Sequence, residues 1–279
     1  MQEMLRTTDQ GPLSRVKACP PDTSLTESSE KAGDSSSDGV SNDALLNGLV
    51  RLRQPRRGYR VAVDAVLLAA ATAATPGERV ADLGTGVGGA ALCLATRVPK
   101  VCVVGLELQL ELAALGAANI TDNALDGRVS VVVGDVARSP LKPGSFDRVM
   151  ANPPYMRAGA HTRAIDPSRA VANGEGEAGL AAWLRCAALA LRPRGVLTLI
   201  HRADRLDEVL ALMHKDFGAL VLFPVWPRTG VAARRILVTG RRGAASPARL
   251  APGLVLHEGD GRFTAEADAV LRGGRGLDL

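Results

Sequence analysis

Asp82-Leu83-Gly84-Thr85-Gly86-Val87-Gly88-Gly89 follows the apolar run of residues 79–83 and opens an Ala/Leu-rich stretch, so it reads as a strand turning through glycine into a helix. The glycines stand where a backbone turns tightly and lets a ligand come close. Gly84, Gly86 and Gly89 satisfy the dinucleotide-binding spacing as well as that of an adenosyl cofactor, and two ligand classes stand at this point. Asp82 tilts the balance: a carboxylate just before the first glycine repels a pyrophosphate and welcomes the ammonium group of a methionine moiety.

Outward from this unit the texture repeats. Residues 101–106, 129–133, 146–151 and 195–201 are further short strand runs, and residues 89–97, 109–123, 178–191 and 204–216 between them have helical patterning, the signature of βαβ units and a parallel sheet. Residues 220–225 and 234–239, punctuated by Pro224, Pro227 and Gly230, suit a terminal antiparallel hairpin. The expected fold is therefore α/β: a Rossmann-like, seven-stranded, mostly parallel sheet with a terminal antiparallel strand and helices on both faces. Aromatic residues are only 3% of the chain, so the core must be built from Ala, Val and Leu, which suits a buried parallel sheet.

Residues 1–43 carry Pro20-Pro21 and a Ser/Asp/Gly cluster with almost no apolar periodicity; they are expected to form a disordered acidic tail. Residues 44–279 are expected to form a single domain with a basic N-terminal segment and a short C-terminal extension that frays from Arg272. In the basic segment, Leu45, Leu46, Leu49 and Leu52 are spaced for an amphipathic or extended piece, and residues 64–74 look helical. No stretch approaches the roughly 20 apolar residues of a membrane span. The amino terminus lacks the basic start and apolar run of a secretory signal, which makes the cytoplasm the expected address. Cys19, Cys93, Cys102 and Cys186 are scattered, as are the histidines, and no spacing suggests a metal site. A monomer is the favoured form.

Two carboxylates lie at the ends of later strands. Glu107 is placed to hold a pair of ribose hydroxyls, and Asp135, just after the third strand, either accepts from an adenine amino group or caps the turn that follows. The fourth strand runs straight into Asn152-Pro153-Pro154-Tyr155 at the carboxyl edge of the sheet, where open α/β sheets bind ligands. Two prolines fix φ and remove two donors, leaving a stiff loop that presents acceptors: the Asn152 side-chain oxygen and the Pro153 carbonyl. Pro154 stiffens the turn and Tyr155 supplies a ring on which a planar substrate can stack. Such a loop suits an NH2 group on a planar substrate, because two acceptors holding its hydrogens free the nitrogen lone pair to attack a sulfonium methyl.

The net charge of +5 hides an asymmetry: residues 1–43 hold 4 basic and 8 acidic side chains, leaving +9 on the remainder. A body of that sign favours nucleic acid as a partner. Arg51, Arg53, Arg56, Arg57 and Arg60 form a dense patch that reads as a phosphate-binding rim or as a solvated face. Arg157, Arg163 and Arg169 follow the tetrapeptide and are expected to extend that surface.

Taken together, residues 82–89, Glu107, Asp135 and residues 152–155 resemble the class I S-adenosylmethionine-dependent amino-methyltransferases. Gln54-Pro55, Gly58-Tyr59-Arg60, Asp64-Ala65-Val66-Leu67-Leu68 and the closing stretch of residues 256–264 are similar to the bacterial tRNA (adenine-N6)-methyltransferases that modify the purine next to the anticodon of valine tRNA. This resemblance covers roughly residues 45–272. It implies S-adenosyl-L-methionine as cofactor and tRNA as partner, with Asp64 helping to hold the methionine end, Glu107 the ribose, and Asn152 and Tyr155 the adenine. Asp82, Gly84, Gly86, Gly88, Glu107, Asp135, Asp64 and Asn152 are thus the expected cofactor contacts. Tetrapeptides of this kind also serve enzymes acting on guanine in rRNA, adenine in DNA and glutamine in release factors. The glutamine enzymes usually carry a helical domain before the glycine loop, for which the preceding segment here is too short. A non-catalytic adenosine- or RNA-binding protein is the remaining reading.

Overall fold

The computed structural model describes residues 39–57, 60–155 and 179–279, which lie in one compact unit. Strands β1 (Val40–Leu45) and β2 (Val50–Pro55) form an antiparallel hairpin in the register Val40↔Pro55 to Leu45↔Val50. Strand β1 includes residues 40–43, which sequence reasoning assigned to the tail. The turn between the two strands places Leu46, Asn47 and Gly48 at φ of 49°, 53° and 94°. Val50, Leu52 and Gln54 face inward and Arg51 and Arg53 outward, the period-two alternation of a half-buried strand.

The main sheet is ordered β10-β8-β9-β7-β6-β3-β4-β5, with β11 also pairing with β8. Its parallel core comprises β3 (Arg79–Leu83), β4 (Cys102–Glu107), β5 (Val129–Val133), β6 (Phe146–Ala151) and β7 (Leu191–Arg202). Strands β8 (Phe217–Trp226) and β9 (Arg235–Arg242) form the terminal hairpin, with β9 antiparallel to both β7 and β8. These are the seven strands expected from the sequence; β10 (Arg249–Leu250) and β11 (Leu254–Val255) are short additions along β8. The chain builds outward from β3 in one direction and from β6 in the other, so the strand order reverses between them. Their carboxyl ends therefore splay apart and leave a cleft.

Helices α1 (Val63–Ala71), α2 (Gly89–Arg97) and α6 (Ala265–Leu271) pack on one face; α4 (Leu180–Ala190) and α5 (Leu206–Met213) pack on the other. Both cores are dominated by Ala, Val and Leu, as the low aromatic content requires. Helix α3 (Leu110–Asp122) fastens the β1–β2 hairpin to this body. The Asn119 side chain accepts from Arg53 N–H at 2.7 Å and donates to Arg53 C=O at 2.9 Å. Asn123, just past α3, does the same for Arg51 at 2.8 and 2.7 Å. Two side-chain amides thus stand in for a neighbouring strand along β2. Asn119 also donates to the Val87 carbonyl at 2.9 Å, which ties the hairpin to the glycine loop.

Candidate active site

The turn after β3 is built as the sequence suggested, with Gly84, Gly86 and Gly88 at φ of 63°, 58° and 90°, a region that L side chains rarely adopt. Close packing adds a second reason for two of the glycines. A Cβ on Gly84 would lie 2.3 Å from the Trp183 ring of α4, and one on Gly89 would lie 2.6 Å from Val61. The segment after β2 therefore crosses directly over the start of α2, and Gly84 and Gly89 answer to neighbouring side chains as well as to a ligand.

Two buried carboxylates stand beside this loop. Asp82 is 2% exposed and accepts from Thr85 Oγ1 at 2.7 Å. Burial, reinforced by the Glu107 charge and opposed by the Thr85 and Ala91 hydrogen bonds, pushes its carboxyl up to about 7. Glu107 is 6% exposed; its Oε2 accepts from Gly86 N–H at 2.8 Å and its Oε1 from Gln109 N–H at 2.9 Å. Burial raises its carboxyl as well, against the backbone donors that lower it. Neither carboxylate has a cationic partner among the described residues. Each oxygen keeps lone-pair capacity beyond its present donor, so the pair suits a ligand that brings an ammonium group and hydroxyls and disfavours one that brings a pyrophosphate. Leu108 and Leu110, 56% and 70% exposed, supply apolar surface beside Glu107. Asp135 Oδ1 accepts from Ala137 N–H at 2.8 Å and so caps the 3₁₀ turn Val136–Arg138, which fixes the carboxylate at the rim of the sheet.

At the end of β6 the tetrapeptide projects from the sheet edge. The Tyr155 hydroxyl lies 2.6 Å from Asn152 Oδ1 and 2.7 Å from Asp64 Oδ2. Asp64, in the first turn of α1, also pairs with Arg235 Nε at 2.9 Å. The Arg235 guanidinium lies over the Tyr155 ring, 4.7 Å from its centroid, and His201 meets the same ring edge-on with centroids 5.4 Å apart. Arg205 donates to the Tyr155 carbonyl at 3.2 Å. Tyr155 is thus fixed from α1, β7, β9 and the turn before α5, an orientation set before any substrate arrives. His201 is fully buried and neither ring nitrogen has a hydrogen-bond partner among the described residues. Burial and the nearby Arg205 charge depress the imidazole to about 4, more than the Arg202 backbone and the carboxylates of Glu208 and Asp204 restore. It is a neutral wall against the tyrosine.

The structure therefore gathers Asp82, Gly84, Gly86, Gly88 and Glu107 at one end of the cleft, and Asp64, Asn152 and Tyr155 at the other. Arg235, His201 and Arg205 join the second group unforeseen; they lie 46 to 80 residues after Tyr155 with no local pattern to mark them. Among the basic candidates, Arg53 pairs with Asp122 at 2.7 Å, Arg60 with Asp43 at 2.8 Å, and Arg56 donates to the Val40 carbonyl at 3.0 Å. Arg51 and Arg57 are exposed. Arg157, Arg163 and Arg169, with Gly58 and Tyr59, lie outside the described residues. Among the described residues no group of three or more His, Cys, Asp or Glu is arranged to hold a metal, and no helix is long and apolar enough to cross a membrane.

A reversed strand in an otherwise parallel sheet, a glycine turn flanked by unpaired buried carboxylates and an acceptor-rich loop at the switch point define a class I methyltransferase. The chain belongs to the methyltransferase small domain family, whose model matches residues 60–221, and its cofactor is S-adenosyl-L-methionine. More narrowly, it is 30% identical over 211 residues to the tRNA1(Val) (adenine(37)-N6)-methyltransferase of Aeromonas hydrophila, a match spanning 75% of this chain and 87% of that protein. The protein of the same name from Porphyromonas gingivalis is 33% identical over 158 residues, 54% of this chain and 61% of the relative. Among solved structures, a predicted O-methyltransferase from Agrobacterium tumefaciens superposes with a TM-score of 0.65 at 30% identity, covering 77% of this chain and 98% of that one. The tRNA (m1A58) methyltransferase of Aquifex aeolicus shares the fold, with a TM-score of 0.51 at 16% identity over 69% of this chain and 73% of its own.

Proposed function

We propose that the protein transfers the methyl group of S-adenosylmethionine to the exocyclic N6 of an adenine in tRNA, in the anticodon loop of valine tRNA, and that it acts in the cytoplasm. The observation that carries this reading is the position of Asn152 Oδ1 at the carboxyl end of β6, beside the glycine turn and in contact with a tyrosine that four elements hold in place.

When bound, the cofactor supplies an electrophilic methyl group. Asp82, Glu107 and the turn through Gly84, Gly86 and Gly88 would hold its amino-acid and ribose parts, Asp64 its methionine end and Asp135 its adenine. Asn152 Oδ1 and the Pro153 carbonyl accept the two amine hydrogens of the substrate, which localises the nitrogen lone pair. That nitrogen would take the methyl group the bound cofactor would supply, and the amine would release one proton to solvent. Holding both reactants in attack geometry can lower the barrier by roughly 7 to 11 kcal/mol. Pro153 and Pro154 keep the acceptors from relaxing away from that geometry, and Tyr155 stacks on the purine. An adenine in an anticodon loop is partly unpaired, so turning it into the cleft costs less than opening a duplex. Exposed Arg51 is a candidate for contact with tRNA phosphates, as are Arg157, Arg163 and Arg169.

Nucleoside mass spectrometry of tRNA from cells with and without the gene tests the reading. Loss of N6-methyladenosine on deletion is the expected result. An unchanged level would shift the assignment to a protein glutamine or an rRNA guanine, which offer an NH2 to the same two acceptors.

A further inference from the structure

Residues 227–234 join β8 to β9 beside Tyr155. Two arginines in this loop, Arg228 and Arg234, are exposed, and neither has an ion-pair partner among the described residues. A groove of about 360 Å³ runs along the root of the loop, lined by Tyr155, Arg202, Asp204, Arg234 and Arg235. Arg202 is neutralised by Asp204, and Arg235 by Asp64, which leaves Arg234 as the uncompensated cation among the described residues that line the groove containing the tyrosine. On the other flank a cavity of about 600 Å³ is bordered by Trp226, Arg228 and Val231.

The loop is mounted rigidly, and the closing stretch noted in the sequence provides the mount. Leu256 N–H donates to the Trp226 carbonyl at 2.8 Å and His257 N–H to the Pro227 carbonyl at 3.1 Å. His257 stacks on Phe263 with centroids 4.9 Å apart, and Thr264 Oγ1 donates to the Val255 carbonyl at 2.7 Å while its side chain also caps α6. The Trp226 indole donates to the Pro252 carbonyl at 3.3 Å, and Arg234 N–H closes the loop on the Val225 carbonyl at 3.3 Å. A backbone braced in this way at both roots of the loop loses less freedom when a ligand is gripped. In the β1–β2 segment, by contrast, Arg53, Arg56 and Arg60 are already engaged within the protein.

We propose that residues 227–234, braced by residues 254–264, form the edge that holds the sugar-phosphate chain on either side of the base presented to Tyr155, with Arg228 and Arg234 each at a phosphate. This rests on the tRNA-methylating reading above. Phosphate contacts of this kind set position and register and carry no sequence information. Their loss therefore weakens binding of any tRNA and lowers its dependence on salt.

The test is equilibrium binding of an unmodified tRNA transcript to the full chain over a range of salt concentrations, for wild type, Arg228→Glu/Arg234→Glu and Arg56→Glu/Arg57→Glu. Thermal melting and titration with S-adenosylhomocysteine check that each variant is folded. The loop pair should weaken binding at least about tenfold and lower the slope of log affinity against log salt by about 1 to 2; the other pair should cost no more than about threefold. Arg228→Gln/Arg234→Gln, which removes charge without reversing it, should lower the slope by a similar amount with a smaller loss of affinity. Wild-type binding with loop variants that match it in affinity and slope would overturn the inference and leave the enzymatic reading intact. So would an equal or larger loss from the Arg56/Arg57 pair. Wild type that neither binds nor methylates tRNA would overturn both.

Discussion

Asp82→Asn should remove the loss of stability that the wild-type protein suffers at this one carboxyl as pH rises. The Asp82 carboxyl is 2% exposed and is pushed up from 3.8 to about 7, chiefly by burial. Because the folded form holds its proton where the unfolded chain releases it, the stability this group contributes is complete below pH 3.8 and is lost as pH rises through about 7. At about 1.4 kcal/mol per pH unit the whole window amounts to about 4 kcal/mol, of which about 2 to 3 kcal/mol falls between about pH 5 and about pH 8. Asparagine preserves an acceptor for Thr85 Oγ1 and cannot ionise. Urea unfolding of both proteins at the two pH values measures the difference directly. Because His201 and Glu107 titrate in both proteins, the Asp82 contribution is the difference between them: relative to the variant, wild type should lose about 2 to 3 kcal/mol across that interval. A difference between the two proteins that does not change with pH would refute the claim that a buried carboxylate without a cation stands under the glycine turn. If the ammonium of the cofactor is its missing counter-charge, S-adenosylhomocysteine should bind wild type more weakly below about pH 7, and the variant should bind weakly at every pH.

Asn152→Ala should abolish methyl transfer while leaving the dissociation constant for S-adenosylhomocysteine within about threefold, because the acceptor it removes serves the amine; calorimetry beside an activity assay separates the two. Tyr155→Phe should keep KM for tRNA and lower kcat, since the ring remains while the bond to Asp64 and Asn152 is lost. Tyr155→Ala should in addition cost about 1 to 3 kcal/mol of RNA binding, measured as the change in KM. Asn119→Ala strands the N–H and C=O of Arg53 and the Val87 carbonyl, and should lower unfolding free energy by about 1 to 3 kcal/mol in urea titration.

The parallel core was legible because its signals are local. Strands β3, β5 and β6 begin and end where the β-branched runs do, and α2 where the Ala/Leu stretch does, because buried parallel strands need continuous apolar runs. The β1–β2 hairpin was not read, since the leucines at 45, 46, 49 and 52 fit either period, and what holds β2 is a pair of amides some 70 residues away on α3 and just past it. Asn47-Gly48 was the available clue, a dipeptide that favours the positive φ of a hairpin turn. Helix α6 went unread behind the closing stretch that precedes it. The groups that fix Tyr155 were invisible for the same reason as the hairpin: His201 and Arg235 reach it only through the antiparallel pairing of β7 with β9.

The most direct test of amine methylation at the tetrapeptide is to incubate the purified protein with unmodified valine tRNA and methyl-labelled S-adenosylmethionine, digest the RNA and locate the label. The methyl group should be found on the exocyclic nitrogen of adenine, with none transferred by Asn152→Ala. Label on a ring nitrogen, on ribose oxygen or on a protein glutamine would contradict the role given to Asn152 Oδ1 and the Pro153 carbonyl.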